Sequence, residues 1–385
     1  MTVNQSFDNH LKNLLSEKET QGLLRRLVSV TDKIDFCSND YLGFAAKTVF
    51  KHAASVDNLL PMGSTGSRLI TGNSNLAEET EAMLAQFHKT EAALIYSSGF
   101  MANLGLFSCI AAKGDTILSD QYIHASIIDG IRLSKANRNW FKHNDLEDLE
   151  LKLQKATNQI FVVVESIYSM DGDEAPLCQI VDLCAKYNAL LMVDEAHSTG
   201  IYGERGEGLV CQYQLEDKVY ARIHTFGKAL GAHGAVIVGS AILRDYLINY
   251  SRSFIYTTGV PPAFYAQIQR IYALLPEANR THLFELIAYF SIQSQKLSNI
   301  QRIESLSPIQ AFIIGDNFKA KNIENQLLTK GFFVKAILSP TVPVGTERLR
   351  ISIHAFNTKA EIDDLLSAIE SLDKKVAIQL EHIGT

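Results

Sequence analysis

The stretch Ala189-Leu190-Leu191-Met192-Val193-Asp194-Glu195-Ala196-His197-Ser198-Thr199-Gly200 decides the fold. Apolar residues run unbroken into two carboxylates and an imidazole. A short continuous apolar run suits a strand covered on both faces, as in a mainly parallel sheet. In open α/β sheets ligands gather beyond the carboxyl ends of the strands, so this strand would end on reactive side chains.

Working outward, similar runs occupy 92–96, 116–118, 159–164, 222–225 and 235–238, with helical spacing between them at 99–112, 124–136, 146–156 and 177–187. Alternating short strands and helices predict an α/β domain with a mainly parallel sheet. Upstream, a helix is expected over 7–18, then an extended segment, and 78–88 carries Met83, Leu84 and Phe87 at helical spacing. Beyond about residue 275 the pattern changes to a helix at 277–297, strands at 309–314, 331–336 and 348–353, and a last helix at 358–371. The expected division is an N-terminal helix and extended segment (1–45), a large α/β domain (46–275) and a small α+β C-terminal domain (276–385).

Composition narrows the class. The chain has 385 residues, 46% apolar and 20% charged, which excludes disorder, collagen-like repeats and a disulfide-stapled miniprotein. A net charge of −6 argues against nucleic acid as a partner, because neutralising phosphates needs an excess of Lys and Arg. Cys37, Cys109, Cys178, Cys184 and Cys211 follow neither a CxxC nor a zinc spacing, and read as free thiols in a reducing compartment. No metal site is expected. Residues 1–20 lack an apolar signal region, and the longest apolar stretches, such as 234–243, fall short of the ~18 residues of a membrane span. A cytoplasmic protein with no membrane partner is expected.

Three other strand ends also present chemistry. After 222–225 comes Phe226-Gly227-Lys228, after 159–164 comes Glu165-Ser166-Ile167-Tyr168-Ser169-Met170-Asp171-Gly172-Asp173, and after 92–96 comes Ser97-Ser98-Gly99-Phe100. Singly, each has a mundane reading: a solvated lysine in a glycine-rich turn, a helix N-cap, a hydrogen-bonded core histidine. Their joint placement on one sheet edge is what informs. A lysine amine can hold an aldehyde as a Schiff base, and a carboxylate can pair with a pyridinium nitrogen. A glycine-led helix N-terminus flanked by hydroxyls can cradle a phosphate. Together these describe a pyridoxal 5'-phosphate (PLP) site. The competing phosphate motifs are absent: no stretch fits a P-loop, and the glycines at 203–208 are not in dinucleotide-binding order.

At these residues the sequence resembles the α-oxoamine synthase group of fold-type I PLP enzymes, whose fold is that of aspartate aminotransferase. The resemblance rests on Asp194-Glu195-Ala196-His197 with Thr225-Phe226-Gly227-Lys228, and extends over most of the chain. It takes in Ser38-Asn39-Asp40-Tyr41-Leu42-Gly43, Gly63-Ser64-Thr65-Gly66-Ser67-Arg68, His124-Ala125-Ser126, Tyr256-Thr257-Thr258, Pro340-Thr341-Val342-Pro343 and Arg348-Leu349-Arg350. It implies that Lys228 would bind the cofactor aldehyde and shuttle the α-proton, Asp194 would hold the pyridine nitrogen, His197 the ring hydroxyl, and His124 would stack on the ring. Gly99, Phe100, Ser169 and Thr225 would surround cofactor oxygens and phosphate. The group works as homodimers with the site at the interface, so Thr257 or Thr258 would reach the phosphate bound by a partner subunit. Arg350 would bind the amino-acid carboxylate, with Asn39 and Thr341 lining the substrate side; spacing alone does not separate Arg350 from Arg348.

The implied activity is a decarboxylative condensation of an amino acid with an acyl thioester carried on CoA or an acyl carrier protein. Residues 63–68 and 340–343 are most similar to the members that join alanine to a pimeloyl thioester in biotin synthesis. Glycine C-acetyltransferase, serine palmitoyltransferase and 5-aminolevulinate synthase are rivals within the group, and an aminotransferase is one on the same fold. Two departures touch the acyl end: Leu338-Ser339 stands where an arginine is usual, and Ser16-Glu17-Lys18-Glu19 replaces an arginine cluster.

Overall fold

The structure is a computed structural model that describes residues 3–46, 60–297 and 299–383, with side chains as far as Leu372. The chain divides into two units. One joins Asn39–Ser169 to Asp173–Arg280; the other joins Met1–Ser38 and Met170–Gly172 to Thr281–Thr385.

The first unit is built on a seven-stranded sheet. Its strands are β1 (Ala92–Tyr96), β2 (Thr116–Asp120), β3 (Asn137–Phe141), β4 (Ile160–Glu165), β5 (Ala189–Asp194), β6 (Ala221–Thr225) and β7 (Ala235–Gly239). They lie in the order β1-β7-β6-β5-β4-β2-β3, and only β7 runs against the rest. The expected mainly parallel sheet is therefore present. Leu106 and Phe107 of the helix Gly99–Cys109 and Ile127 of the helix Ala125–Leu133 pack on Phe161, Val163 and Ile223. Val162 and Val164, which alternate with them, are also fully buried, so β4 is covered on both faces as its unbroken apolar run implied. Register sets the functional edge: Glu165 lies opposite Asp194, and Asp194 opposite Ile223, so three strands end nearly level.

One strand escaped the sequence reading. β3 reads Asn137-Arg138-Asn139-Trp140-Phe141, with the first four residues exposed. It is a sheet edge that meets solvent, so it has no apolar run to betray it. The helices Ala241–Tyr250 and Pro262–Leu274 were also unread; the second starts on a proline, which tolerates the first helical turn.

The second unit holds a four-stranded antiparallel sheet in the order Lys335–Ile337, Arg348–Ser352, Ile309–Ile313, Arg302–Ile303. The strand expected over 331–336 is two. Phe332–Phe333 pairs in parallel with Ile34–Asp35, and Lys335–Ile337 pairs with Arg348–Arg350, so the chain changes sheets at Val334. The helix expected over 277–297 spans Arg280–Ser294, preceded by a short 3-10 turn at Leu275–Glu277. The helix Val3–Thr20 buries none of its side chains and leaves Val3, Phe7, Leu11, Leu14 and Leu15 exposed.

Three loops of the first unit are stapled by one imidazole. His143 sets Nδ1 3.0 Å from Asp120 at the end of β2 and Nε2 2.7 Å from Asp173 in the turn after β4. The rings of Tyr122 and Tyr168 pack against it. Burial works against a charge there, but the hydrogen bonds and charges of both aspartates prevail and push His143 up to about 9 from its ordinary 6.5. A pKa raised by folding gives stability that is complete below the unfolded value and lost as pH rises through the folded one. The stability margin of the wild type over His143→Gln is thus expected to be full below pH 6.5 and gone above about pH 9. Paired thermal melts across that range check it, and a margin that ignores pH contradicts it.

Candidate active site

The level strand ends surround a cavity of about 250 Å³ lined by Gly99, Phe100, His124, Asp194, Thr225 and Lys228, with Asn39, Asn103, Ser126 and Glu165 among its other walls. Asp194 is 4% exposed. Its Oδ1 accepts from the Ala196 amide at 2.9 Å and its Oδ2 from Asn103 Nδ2 at 2.8 Å. Its neighbour in register, Glu165, is also buried, and its Oε1 has no hydrogen-bond partner. Two carboxylates side by side in a dry site do not both ionise. Burial, helped by Asp194 and opposed by Lys228, pushes Glu165 up to about 8.

Opposite them, β6 ends on Thr225 and the chain turns through Gly227-Lys228 before β7 brings it back. Gly231 occupies the left-handed region at φ +60, where a side chain would collide with the Ala45 amide 2.5 Å away, so glycine alone fits this turn. Lys228 is half-buried. On the third side β1 leads through Ser97 and Ser98 into the helix Gly99–Cys109. Ser98 caps that helix by accepting from Met101 N at 3.2 Å.

The fit to PLP rests on two features. A Cβ on Gly99 would lie 2.6 Å from Thr225 Cγ2, so the helix N-terminus stays open only because residue 99 is glycine. The Thr225 hydroxyl beside it is buried and has no hydrogen-bond partner. An exposed helix N-terminus with a spare hydroxyl suits a phosphate, and a lysine facing a buried carboxylate across the same cavity suits the aldehyde and ring nitrogen of a pyridine cofactor.

The remaining expected residues fall into three groups. His124 lines the cavity and is exposed to it; the surrounding protein nevertheless holds its ring below the ordinary imidazole range, with Asp194 pulling up and Lys228 pushing down. His197 is buried behind the wall, where Tyr41 donates to Asn39 Oδ1 (3.0 Å) and receives from His197 Nδ1 (2.8 Å). Ser169 is half-buried in the turn after β4 and does not line the cavity. Thr257 and Thr258 line a separate cleft beside Arg68, whose guanidinium grips Glu81 through two bonds of 2.7 and 3.1 Å.

Thr341, exposed, and Arg350, buried, belong to the second unit. There Arg348 commits its guanidinium to Asp171 and Thr346, whereas Arg350 donates to Ser352 Oγ at 3.1 Å. That separates two arginines that spacing left equivalent. Among the described residues no cluster suitable for a metal ion occurs, and the five cysteines are unpaired. No described helix is long and apolar enough to cross a membrane. The sequence reading missed Asn103 and gave Glu165, Tyr41 and Ser126 no role.

Comparison with known proteins agrees with this geometry. Residues 31–369 match the aminotransferase class I and II family. The chain is 39% identical to an 8-amino-7-oxononanoate synthase of Emericella nidulans, over 93% of this chain and 94% of that one. A solved 8-amino-7-oxononanoate synthase from Francisella tularensis superposes with a TM-score of 0.77 at 30% identity, covering 90% of this chain and 99% of its own. A serine palmitoyltransferase from S. paucimobilis, solved with a bound PLP–myriocin adduct, gives 0.88 at 28% identity, covering 98% and 100%. The chain therefore belongs to the aminotransferase class I and II family, with the fold-type I architecture of PLP-dependent enzymes.

Proposed function

We propose that this chain condenses L-alanine with a pimeloyl thioester, on CoA or an acyl carrier protein, to give 8-amino-7-oxononanoate, CO₂ and the free thiol, a step of biotin synthesis. The observation that carries the reading is one cavity uniting Lys228, Asp194, His124 and an open helix N-terminus, in a chain 39% identical to an 8-amino-7-oxononanoate synthase. PLP, when bound, supplies an aldehyde for an amine and a cationic ring that draws electrons from the amino acid's α-carbon.

The side chains do the rest. Lys228 Nζ anchors the aldehyde at rest and then accepts the α-proton. Asp194, kept in place by Asn103 and the Ala196 amide, holds a proton on the ring nitrogen. The amides of Gly99 and Phe100, with the Thr225 hydroxyl, bind the phosphate. His124 would stack on the ring face, His197 would hold the ring hydroxyl, and Ser169 would lie among the groups around the cofactor oxygens and phosphate. Arg350 takes the substrate carboxylate, an assignment favoured by the commitment of Arg348 to Asp171. Asn39 and Thr341 line the substrate side.

The reading includes a cytoplasmic homodimer in which Thr257 and Thr258 serve a partner subunit's phosphate. That they line a cleft other than the cavity of their own chain supports it, as does the uncovered apolar stripe of the helix Val3–Thr20. A serine palmitoyltransferase reading is the second, favoured by the TM-score of 0.88.

Two measurements test the proposal. The purified protein is expected to release thiol and CO₂ with alanine and a pimeloyl thioester, and far more slowly with glycine and acetyl-CoA or serine and palmitoyl-CoA. Faster turnover of either rival pair reassigns it, and a keto acid formed without thiol release makes it an aminotransferase. Asp194→Asn is expected to lower kcat by about 10²–10³, as for loss of a preorganised charge at a reacting centre. A change under threefold would contradict the role given to that carboxylate.

A further inference from the structure

His124 begins a chain of hydrogen bonds whose polarity is forced at both ends. At one end its Nδ1 lies 3.2 Å from the backbone N–H of Ser126, which can only donate. Nδ1 must therefore carry the lone pair, and the imidazole is the N-cap of the helix Ala125–Leu133. At the other end Asn103 Nδ2 donates to Asp194 Oδ2 at 2.8 Å. The same nitrogen lies 3.0 Å from Ser126 Oγ, which accepts from it. Ser126 in turn has its hydroxyl hydrogen free for His124 Nδ1 at 2.7 Å. Asn103 is 2% exposed and its Oδ1 is left without a partner. A buried amide that sacrifices its acceptor is held for its two N–H groups.

We propose that Asn103 and Ser126 are positioning residues that lock His124 as the neutral tautomer protonated on Nε2. In that state His124 offers the cavity a hydrogen-bond donor and no base. A proton on Nδ1 would forfeit the cap bond from the Ser126 amide and set one N–H against another at the helix N-terminus. The burial and the Lys228 charge that hold the ring below its ordinary range act in the same direction. On the proposed function, on which this inference rests, the consequence is a division of labour. His124 Nε2–H polarises the thioester carbonyl oxygen as charge develops on it, and the α-proton goes to Lys228.

The test is ¹⁵N NMR of the histidine-labelled full chain, with and without PLP, using His124→Gln to assign the signal. An unprotonated Nδ1 and a protonated Nε2 throughout the neutral range are expected; a protonated Nδ1 in the wild type overturns the proposal. Ser126→Ala and Asn103→Ala are expected to bring up a protonated Nδ1 population. They are also expected to lower kcat about tenfold, with the amino-acid KM within about twofold, as for one weakened hydrogen bond felt in the transition state. Ser126→Thr keeps the hydroxyl and should restore both readouts. If both alanine variants leave tautomer and kcat unchanged, the lock is not there. The tautomer is read without substrate, so absence of thioester turnover with the expected tautomer refutes the proposed function and leaves the lock standing.

Discussion

The site depends on one buried carboxylate that is held in place by two donors. Asp194 sits at the end of a central strand, accepts from its own turn through Ala196 and from Asn103 across the sheet edge, and lies beside a second carboxylate. Left alone, that pair would share a proton in no defined way. Burial without a matching set of donors pushes Glu165 up to about 8, whereas Asp194 accepts from Asn103 and from the Ala196 amide. Parallel topology supplies the rest. Because β4, β5 and β6 run in one direction and end level, their side chains converge on the volume that Lys228 enters from the turn beyond β6.

Much of the site is legible in the sequence, for identifiable reasons. Strands buried on both faces announce themselves as unbroken apolar runs, and a parallel sheet displays its chemistry on the residues just past such a run. Asp194, Lys228, Gly99 and Thr225 could be found that way. Asn103 could not: it lies in an otherwise apolar helix, and nothing in its neighbours says that its amide faces a carboxylate ninety-one residues away. β3 was hidden because its exposed edge needs no apolar residues, and the chain's change of sheet at Val334 was hidden because strand propensity does not report on partners. The two arginines at 348 and 350 share a strand face, so only the Asp171 carboxylate distinguishes them.

The comparisons divide along the same line as the physics. Sequence identity is higher to the 8-amino-7-oxononanoate synthase, whereas the backbone lies nearer to the serine palmitoyltransferase. In this chain a lysine, a carboxylate and an open helix N-terminus share one sheet edge of the large unit. Substrate specificity is read by a few residues whose substitution leaves a fold untouched.

The bond proposed for Lys228 is the point at which all of this can be tested most directly. Borohydride reduction of the protein incubated with PLP, with peptide mass mapping of the product, should place a stable phosphopyridoxyl group on the peptide that contains Lys228, and Lys228→Ala should remove it. A group on another lysine, or none on a folded protein saturated with PLP, would contradict the site itself.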